Sequence, residues 1–273
     1  MRINAFFDGG GILGISYIGA YSALSDYGYY IDKACGISVG AIIASLIVSG
    51  YTANELTSLL ASYDDFSFFK QKTEVGKNKY VGKPLSLLLK KGIYDSGVIN
   101  KFVDRLLRIK NIKIFKDVND RLMIIAADFT TNKMLILPED LHLYGYNPLN
   151  FNISNAVQMS CAIPLFYTPY ILKGKYNSHY IIDGCVVRNI PTNIFTNDFV
   201  DLTLRFKACY KARDLKVKKQ ININEKTYLV NIPIENKLKP IDFDLSREQV
   251  IYLYKQGYKA CYKLIKKIDN KHK

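Results

Sequence analysis

A glycine–serine pentapeptide between two apolar segments constrains the fold of this chain more than any other feature. Residues 36–40 read GISVG; residues 33–37 have the pattern of a short strand, and residues 39–49 have the pattern of a buried helix. A Gly-x-Ser-x-Gly turn between strand and helix is typical of a nucleophile elbow, because its glycines let the backbone pack closely around a sharp bend. The bend sets the Ser38 hydroxyl at a helix N-terminus, where free amides favour developing negative charge. The alternative is a turn of small residues that serves packing alone.

Residues 34–54 contain no charged side chain, and a hydropathy window alone would flag them as a membrane span. A spanning helix needs about 20 predominantly apolar residues, whereas this stretch is interrupted by glycines and serines and begins as a strand and turn. We therefore expect a buried strand, turn and helix. The N-terminal residues MRINAFFDGG lack the long apolar region and cleavage site of a signal peptide. Five cysteines without a CxxC spacing favour a reducing compartment, so a cytoplasmic location is expected.

Strand-like and helix-like segments alternate along the chain. Strand patterns cover residues 3–7, 33–37, 122–128, 133–137, 180–183, 201–206 and 228–232. Helix patterns cover residues 12–27, 39–49, 55–61, 96–109, 154–160 and 246–267. This alternation predicts an α/β sandwich with a mostly parallel sheet. A chain of 273 residues fits one such domain over 1–273.

Two segments stand apart from this alternation. Residues 62–92 combine Phe66, Phe68 and Phe69 with a basic, glycine-containing stretch. They predict an insertion whose aromatic residues form either a flap over the site or a satellite core. Residues 246–267 predict a C-terminal amphipathic helix, whose apolar stripe either packs on the sheet or contacts a membrane.

The glycine-rich segment at 8–14, DGGGILG, admits two interpretations. Gly9, Gly11 and Gly14 spell the GxGxxG dinucleotide fingerprint between a strand and a helix. That fingerprint expects an acidic residue at the end of the next strand, but Asp32 lies at the start of it, so the fit is poor. The second interpretation is a nest of successive backbone amides that point at an oxyanion.

A serine nucleophile needs a base within hydrogen-bond reach. The usual base is histidine, but none of the three histidines has a context that suggests this role. Asp183 ends a predicted strand and precedes Gly184, a pattern that by itself indicates only a turn. As a partner of Ser38, such a strand-end aspartate is the natural candidate, because partial burial raises its pKa and makes it a better proton acceptor.

Together these motifs resemble the patatin-like phospholipases, which are Ser–Asp dyad lipid acyl hydrolases. The matches are DGGG at 8–11 with Gly14 and Gly19 after it, GxSxG at 36–40, and the Asp-Gly pair at 183–184 with Asn189 and Pro191 after it. The segments at 92–97, 124–133 and 153–170 are also similar to the family's connecting segments. The resemblance covers residues 3–195 well and the remainder loosely.

The resemblance implies a three-layer α/β/α sandwich with a mostly parallel central sheet. The residues it assigns are Ser38 as nucleophile, Asp183 as base, Gly9, Gly10 and Gly11 as oxyanion hole, and Gly14, Gly36, Gly40 and Gly184 as supports of the motifs. It implies hydrolysis of phospholipids, lysophospholipids and related acyl esters through an acyl-enzyme. No metal and no other cofactor is expected.

Two residues depart from the family pattern. Leu13 stands where the family usually has Arg or Lys, and Cys185 stands where it usually has Gly or Ala. The first change removes a cation beside the glycine loop, and the second adds volume beside the base. These departures leave a second function open, a patatin-like lipid- or partner-binding module with weak or no hydrolysis.

The net charge of +14 favours anionic partners. Basic residues concentrate in 205–219 and 259–273, which a solvated surface also explains. For a lipid hydrolase these charges predict peripheral contact with an anionic membrane surface. No nucleic-acid-binding motif occurs, so no nucleic acid is expected as partner.

Overall fold

The computed structural model describes residues 1–62, 66–72, 92–187, 194–195, 200, 202–209, 227–235 and 238–270. Most of the predicted insertion at 62–92 therefore lies outside the described residues. The same holds for Asn189 and Pro191 of the third motif and for residues 210–219 of the basic stretch.

The described strands form one mixed sheet. They are β1 (Arg2–Phe7), β2 (Tyr30–Ile37), β3 (Leu122–Asp128), β4 (Lys133–Leu137), β5 (Tyr170–Lys173), β6 (Ser178–Asp183), β7 (Leu202–Cys209) and β8 (Thr227–Pro233). The order β3-β2-β1-β7-β8 is parallel throughout. Antiparallel pairs join β4 and β6 to β3, and β5 to β6. The α/β class is confirmed, and the parallel arrangement is confined to β3, β2, β1, β7 and β8. Strand β5 has no counterpart among the strands predicted from the sequence.

The described helices are α1 (Ile15–Asp26), α2 (Val39–Val48), α3 (Ala53–Ser62), α4 (Gly97–Ile109), α5 (Ile153–Cys161) and α6 (Arg247–Asp269). Residues 34–54 form β2, the turn at Ser38, α2 and the start of α3, as the strand–turn–helix interpretation predicts. Within the described ranges, no helix combines the length and the apolar character needed to cross a membrane.

The two faces of the sheet pack against different groups of residues. Successive side chains of a strand point to opposite faces, and β1 shows this clearly. Ala5 and Phe7 enter a large core that also holds buried residues of all six helices. Phe6 belongs to a smaller cluster, against which Ile194 and Phe195 pack. Burial on both faces explains why the central strands are continuously apolar.

Two strands end against the same edge of β3. The central residues of β3 pair with β2 on one side and with β4 on the other, and Ile125 is opposite Ile37. Residues 126–128 of β3 still pair with β4 on one edge. On the other edge, where β2 pairs with the preceding residues, they pair with β6, and Ala126 lies opposite Asp183. The C-terminal ends of β2 and β6 therefore meet, which brings Asp183 to the turn that contains Ser38.

Helices α1 and α6 are in close contact through glycines. A Cβ atom on Gly257 would lie 1.6 Å from the carbonyl oxygen of Ser16, and one on Gly19 would lie 1.9 Å from that of Tyr254. Cys261, on the predicted apolar stripe of the final helix, is fully buried. The contact fixes α1, and with it the end of the glycine-rich loop that α1 follows.

The opposite face of α6 is basic and exposed. It carries Lys255, Lys259, Lys263 and Lys266. Of the predicted apolar stripe, Ile265 is buried, whereas Ile251 is 44% exposed. The stripe therefore faces α1 over most of its length and reaches solvent near the start of the helix.

We expect Gly257→Ala to destabilise the protein by about 2 kcal/mol. Helix propensity alone favours alanine over glycine by about 1 kcal/mol, but the added methyl group collides with the backbone of α1, and overpacking of this kind costs about 1–3 kcal/mol or more. Urea unfolding measures the difference. Lys259→Ala, on the exposed face of the same helix, is the control and should stay within about 0.5 kcal/mol of the wild type. A Gly257→Ala variant as stable as the wild type would contradict this close contact.

Candidate active site

Ser38 occupies a sharp turn between β2 and α2. Its backbone has φ 55° and ψ −128°, outside the conformations that L-residues ordinarily adopt, and it is the residue immediately before α2. The Ser38 amide donates a hydrogen bond of 2.9 Å to Ser160 Oγ, which in turn donates one of 2.6 Å to the carbonyl oxygen of Ile125. The bend is therefore tied to α5 and β3. Ser38 is 3% exposed.

Asp183 lies at the end of β6, beside the serine. The residue is 2% exposed, and Oδ1 accepts a 2.7 Å hydrogen bond from the amide of Cys185. Burial raises the pKa of Asp183; the Ser38 hydroxyl and the Cys185 amide act in the opposite direction. Oδ2 is buried and makes no hydrogen bond of ordinary geometry with any described residue. The carboxylate thus keeps one acceptor atom available next to the serine hydroxyl.

The glycine-rich loop contacts the same two residues. A Cβ atom on Gly9 would lie 3.3 Å from the Cβ of Ser38 and 2.1 Å from Cys185 Sγ. Gly11 has φ +54°, and a Cβ there would collide with the carbonyl oxygen of Pro240. No described residue accepts a hydrogen bond from the amides of Gly9, Gly10 or Gly11. The loop combines close approach to the serine with backbone donors that are not used within the described part of the chain.

The remaining motif glycines allow backbone segments to approach one another. A Cβ atom on any of these glycines would lie only 2.1–2.5 Å from another atom. At Gly14 that atom is Val39 Cγ2, and at Gly36, Gly40 and Gly184 it is the carbonyl oxygen of Gly40, Phe7 and Ile125, respectively. Gly40 therefore packs on the backbone at the end of β1 and Gly184 on that of β3, whereas Gly14 packs on the Val39 side chain. A Cβ atom at any of these positions would collide with its neighbour.

An ion pair anchors the start of the glycine loop. Arg205 on β7 donates to Asp8 through Nη2 at 2.7 Å and through Nε at 3.2 Å. Burial raises the pKa of Asp8, and the Arg205 guanidinium opposes this rise. Arg205 also lies over the ring of Phe6, 4.6 Å from its centroid. The Asp8–Arg205 ion pair therefore holds the glycine-rich loop to β7, the neighbour of β1 on the edge opposite β2.

An apolar pocket extends from Ser38 along one face of α2. Its empty volume is about 850 Å³, part of it open to solvent. Among the described residues that line it, only Ser38, Cys161 and Tyr167 have a side-chain heteroatom. The Tyr167 hydroxyl is already bonded to the carbonyl oxygen of Phe69. The pocket therefore presents hydrocarbon surface beside one nucleophilic hydroxyl.

The aromatic residues of the predicted insertion form part of this wall. Phe66 and Phe69 line the pocket, with 8% and 9% of their surface exposed. Phe68 packs against Phe102. These residues thus join the main core around the pocket rather than a separate cluster. The flap over residues 62–92 as a whole remains a prediction.

The two departures from the family pattern have different surroundings. Leu13 is fully buried, so a cation at this position would enter the core. Cys185 is exposed and lies against Gly9. Another cysteine, Cys161, lines the pocket beside Ser38; burial and the charge of Asp183 raise the pKa of its thiol.

Sequence reasoning missed a polar network beside the site. Asp128 ends β3, is fully buried and accepts hydrogen bonds from His179 Nδ1 at 2.8 Å, Tyr144 Oη at 2.9 Å and Thr131 Oγ1 at 2.8 Å. His179 lies on β6, four residues before Asp183 at the end of the strand, so the network ties β6 to β3. The signal was present: Asp128, like Asp183, is an acidic residue at the end of an apolar strand.

No cluster of metal ligands accompanies these residues. Within the part of the chain that the structure describes, no three His, Cys, Asp or Glu side chains are grouped so that they could hold a metal ion.

Comparison with known proteins identifies the family of this chain. The family model described as "Patatin-like phospholipase" matches residues 6–196. The uncharacterized protein YqhO of Bacillus subtilis is 37% identical over 199 residues, which cover 72% of this chain and 68% of that protein. The probable lipid hydrolase 463L of Invertebrate iridescent virus 6 is 29% identical over 194 residues, covering 68% of this chain and 60% of that protein.

A solved structure shares the fold. VipD from Legionella pneumophila superposes with a TM-score of 0.60 at 16% sequence identity, covering 97% of this chain and 67% of that chain. At this level of identity the likeness concerns the arrangement of strands and helices alone.

We expect the Asp128 network to stabilise the protein in a pH-dependent way. Burial acts to raise the pKa of Asp128, but the hydrogen bonds from Thr131, Tyr144 and His179 outweigh it and hold the pKa below the ordinary 3.8. A lowered pKa in the folded state gives stability that is fully present above the unfolded value and is lost as the pH falls through the folded value.

Urea unfolding of the wild type and Asp128→Asn between pH 3 and 7 tests this expectation. The stability difference should be constant above about pH 5 and should shrink below pH 4, since the unfolded wild type then takes up a proton at Asp128 that the folded protein, with its lower pKa, does not yet bind. Asp120→Asn, an exposed carboxylate on the loop before β3, is the control. A difference that does not change with pH would show that the charge of Asp128 has no part in the network.

Proposed function

The chain belongs to the patatin-like phospholipase family, and we propose that it is a serine lipid acyl hydrolase of the phospholipase A or lysophospholipase type. The observation that carries the proposal is the position of Ser38 in the wall of a hydrocarbon-lined pocket, with the Asp183 carboxylate beside it. A hydroxyl beside a buried carboxylate is suited to acyl transfer, and the apolar pocket is suited to a fatty-acyl chain. Phospholipids, lysophospholipids and related acyl esters are the proposed substrates.

In the first half of the reaction the serine becomes acylated. Asp183 Oδ2 accepts the proton of the Ser38 hydroxyl while Ser38 Oγ attacks the ester carbonyl carbon. The carbonyl oxygen becomes an oxyanion, which the amides of Gly9, Gly10 and Gly11 stabilise by hydrogen bonds. Collapse of this intermediate breaks the ester bond, and the proton passes from Asp183 to the departing alcohol oxygen.

In the second half water releases the fatty acid. Asp183, again ionised, takes a proton from a water molecule, and the resulting hydroxide attacks the acyl carbon. The same amides hold the second oxyanion, and the proton returns to Ser38 Oγ as the acyl–serine bond breaks. No step requires a metal ion or a redox change.

Burial of Asp183 serves this role. A carboxylate with an ordinary pKa is a weak base at neutral pH, and a raised pKa brings proton transfer from serine closer to balance. Asp183 accepts a proton only when it is ionised, so hydrolysis is expected to decrease as the pH falls through its pKa. The unused acceptor Oδ2 is the atom available for this transfer.

We expect Ser38→Ala to abolish labelling by a fluorophosphonate probe and Asp183→Asn to reduce acyl-ester turnover by about 10²–10⁴-fold, the usual contribution of a general base. Ser45→Ala is the matched control, because Ser45 is a buried serine of the same helix whose hydroxyl donates to a backbone carbonyl. It should keep both labelling and turnover.

Circular dichroism and urea unfolding establish that each variant is folded. Turnover near the wild-type rate after either Ser38→Ala or Asp183→Asn would remove the proposed assignment. A folded wild type that binds lipid vesicles but is neither labelled nor active on any ester would favour the alternative function, a lipid- or partner-binding module.

Peripheral contact with an anionic membrane surface is part of the proposal. Three exposed aliphatic residues lie within three positions along the chain of a residue of the site: Leu165, Val186 and Ile241. Exposed apolar side chains around a lipid-binding pocket are suited to insertion into an interface. The net charge of +14 attracts the same surface.

Leu165 is the most informative of these residues. It is 56% exposed and has φ +68°, a left-handed conformation that is unfavourable for leucine. Its neighbours Ile163 and Tyr167 both line the pocket. The backbone thus holds an apolar side chain in solvent next to the entrance, in a conformation that asparagine adopts more readily.

We expect Leu165→Asn to weaken binding to anionic phospholipid vesicles by about fivefold or more while leaving the hydrolysis of a soluble short-chain ester unchanged. In the wild type, insertion of the Leu165 side chain into the membrane removes apolar surface from water, which contributes about 25 cal/mol per Å² to binding. Asparagine lacks this surface and adopts the left-handed backbone conformation of residue 165 readily. Leu143→Asn, at an exposed leucine outside the pocket, is the control. Vesicle sedimentation provides the measurement, and equal binding by wild type and Leu165→Asn would contradict the proposed contact.

A further inference from the structure

The pocket has a defined direction, set by α2. The helix begins immediately after Ser38, and its residues Val39, Ile42, Ile43 and Leu46 line the pocket. These positions share one face of a helix. From Ser38 to Leu46 the helix rises by about 12 Å at 1.5 Å per residue. An acyl chain attached to Ser38 would run along this face, away from the dyad.

Buried leucines and an isoleucine from three helices also line the pocket. They are Leu46, at the end of the α2 face farthest from Ser38, Leu56 and Leu60 of α3, and Ile18 of α1, and each is at most 8% exposed. Tetrahedral single bonds of about 1.5 Å advance an extended chain by roughly 1.3 Å each. The space along α2 therefore fits a chain of about ten carbons in extended form.

A second cavity lies on the other side of one of these residues. It is formed between α3 and the start of α6, with an empty volume of about 700 Å³, part of it open to solvent. Its described lining is mainly apolar and includes Ala61, Leu245 and Val250, with Arg247 at the start of α6. Leu60 lines both cavities, and no other described residue does. One side chain thus separates the end of the acyl pocket from further apolar space.

We infer that Leu60 sets the longest acyl chain that the pocket accepts. This inference rests on the proposed function, since it takes the occupant of the pocket to be the acyl group transferred to Ser38. Chains of about ten carbons fill the pocket, and longer chains meet the Leu60 side chain. Removing that side chain joins the two cavities, so that a longer chain continues under α6.

The experiment compares acyl esters of 4 to 16 carbons in mixed detergent micelles, with kcat/KM measured for each. The wild type should reach its maximum near ten carbons. Leu60→Ala should raise the ratio of kcat/KM for 16 over 10 carbons by about tenfold or more, since each methylene that leaves water contributes about fourfold. Leu60→Phe should move the maximum to shorter chains. Because both kcat/KM values are measured on the same preparation, their ratio does not depend on the fraction of active protein.

Two control variants isolate the role of the dividing wall. Leu59→Ala enlarges the acyl pocket, and Leu245→Ala enlarges the second cavity, but each leaves Leu60 in place. Neither should change the 16-to-10 ratio as Leu60→Ala does. Chain-length profiles that are the same in wild type, Leu60→Ala and Leu60→Phe would overturn the inference, as would an equal shift in Leu59→Ala.

A binding measurement separates this inference from the proposed function. In a Ser38→Ala background, titration calorimetry with free fatty acids of the same lengths reports on the pocket without catalysis. An inactive wild type would refute the proposed hydrolysis. If the longest fatty acid that binds changes when Leu60 is replaced, the inference is still supported. If it is the same in the wild type and the Leu60 variants, the inference is overturned.

Discussion

The candidate site depends on the backbone edge of β3, along which β2 and β6 are held end to end. Hydrogen bonds to one strand position both the turn with Ser38 and the strand end with Asp183, so the two side chains meet without any long connecting element. Ser160 extends this control, because it joins the Ser38 amide to the Ile125 carbonyl of the same strand. The proximity of Ser38 and Asp183 is therefore a consequence of strand pairing within a buried sheet.

Burial acts on the site in two ways. It makes the pocket a place where hydrocarbon is favoured over water, and it makes the Asp183 carboxylate a stronger base by raising its pKa. The other buried carboxylates nearby have partners that hold their charge: Asp8 has Arg205, and Asp128 has the donors around it. Asp183 differs in keeping one oxygen without a hydrogen bond to any described residue. This contrast distinguishes a group suited to proton transfer from groups that hold strands together.

What the sequence predicts correctly is local. The elbow at Ser38, the strand that ends at Asp183 and most element bounds follow from short patterns of glycine and apolar residues. Features that depend on distant pairing were not predicted. The bond between Ser160 and the elbow and the pair of His179 with Asp128 join segments far apart in the chain. The position of Leu60 between two cavities could not be predicted for the same reason, because the second cavity forms only where α3 lies next to α6.

The backbone of Ser38 has a consequence for the way such a protein changes over generations. A non-glycine residue held at φ 55° and ψ −128° costs on the order of 1–3 kcal/mol. Glycine would relieve that cost, because it adopts positive φ without a Cβ. Drift toward greater stability therefore works against the serine at this position. A lineage that no longer needed the hydroxyl would be expected to lose it early, while the rest of the fold stayed intact.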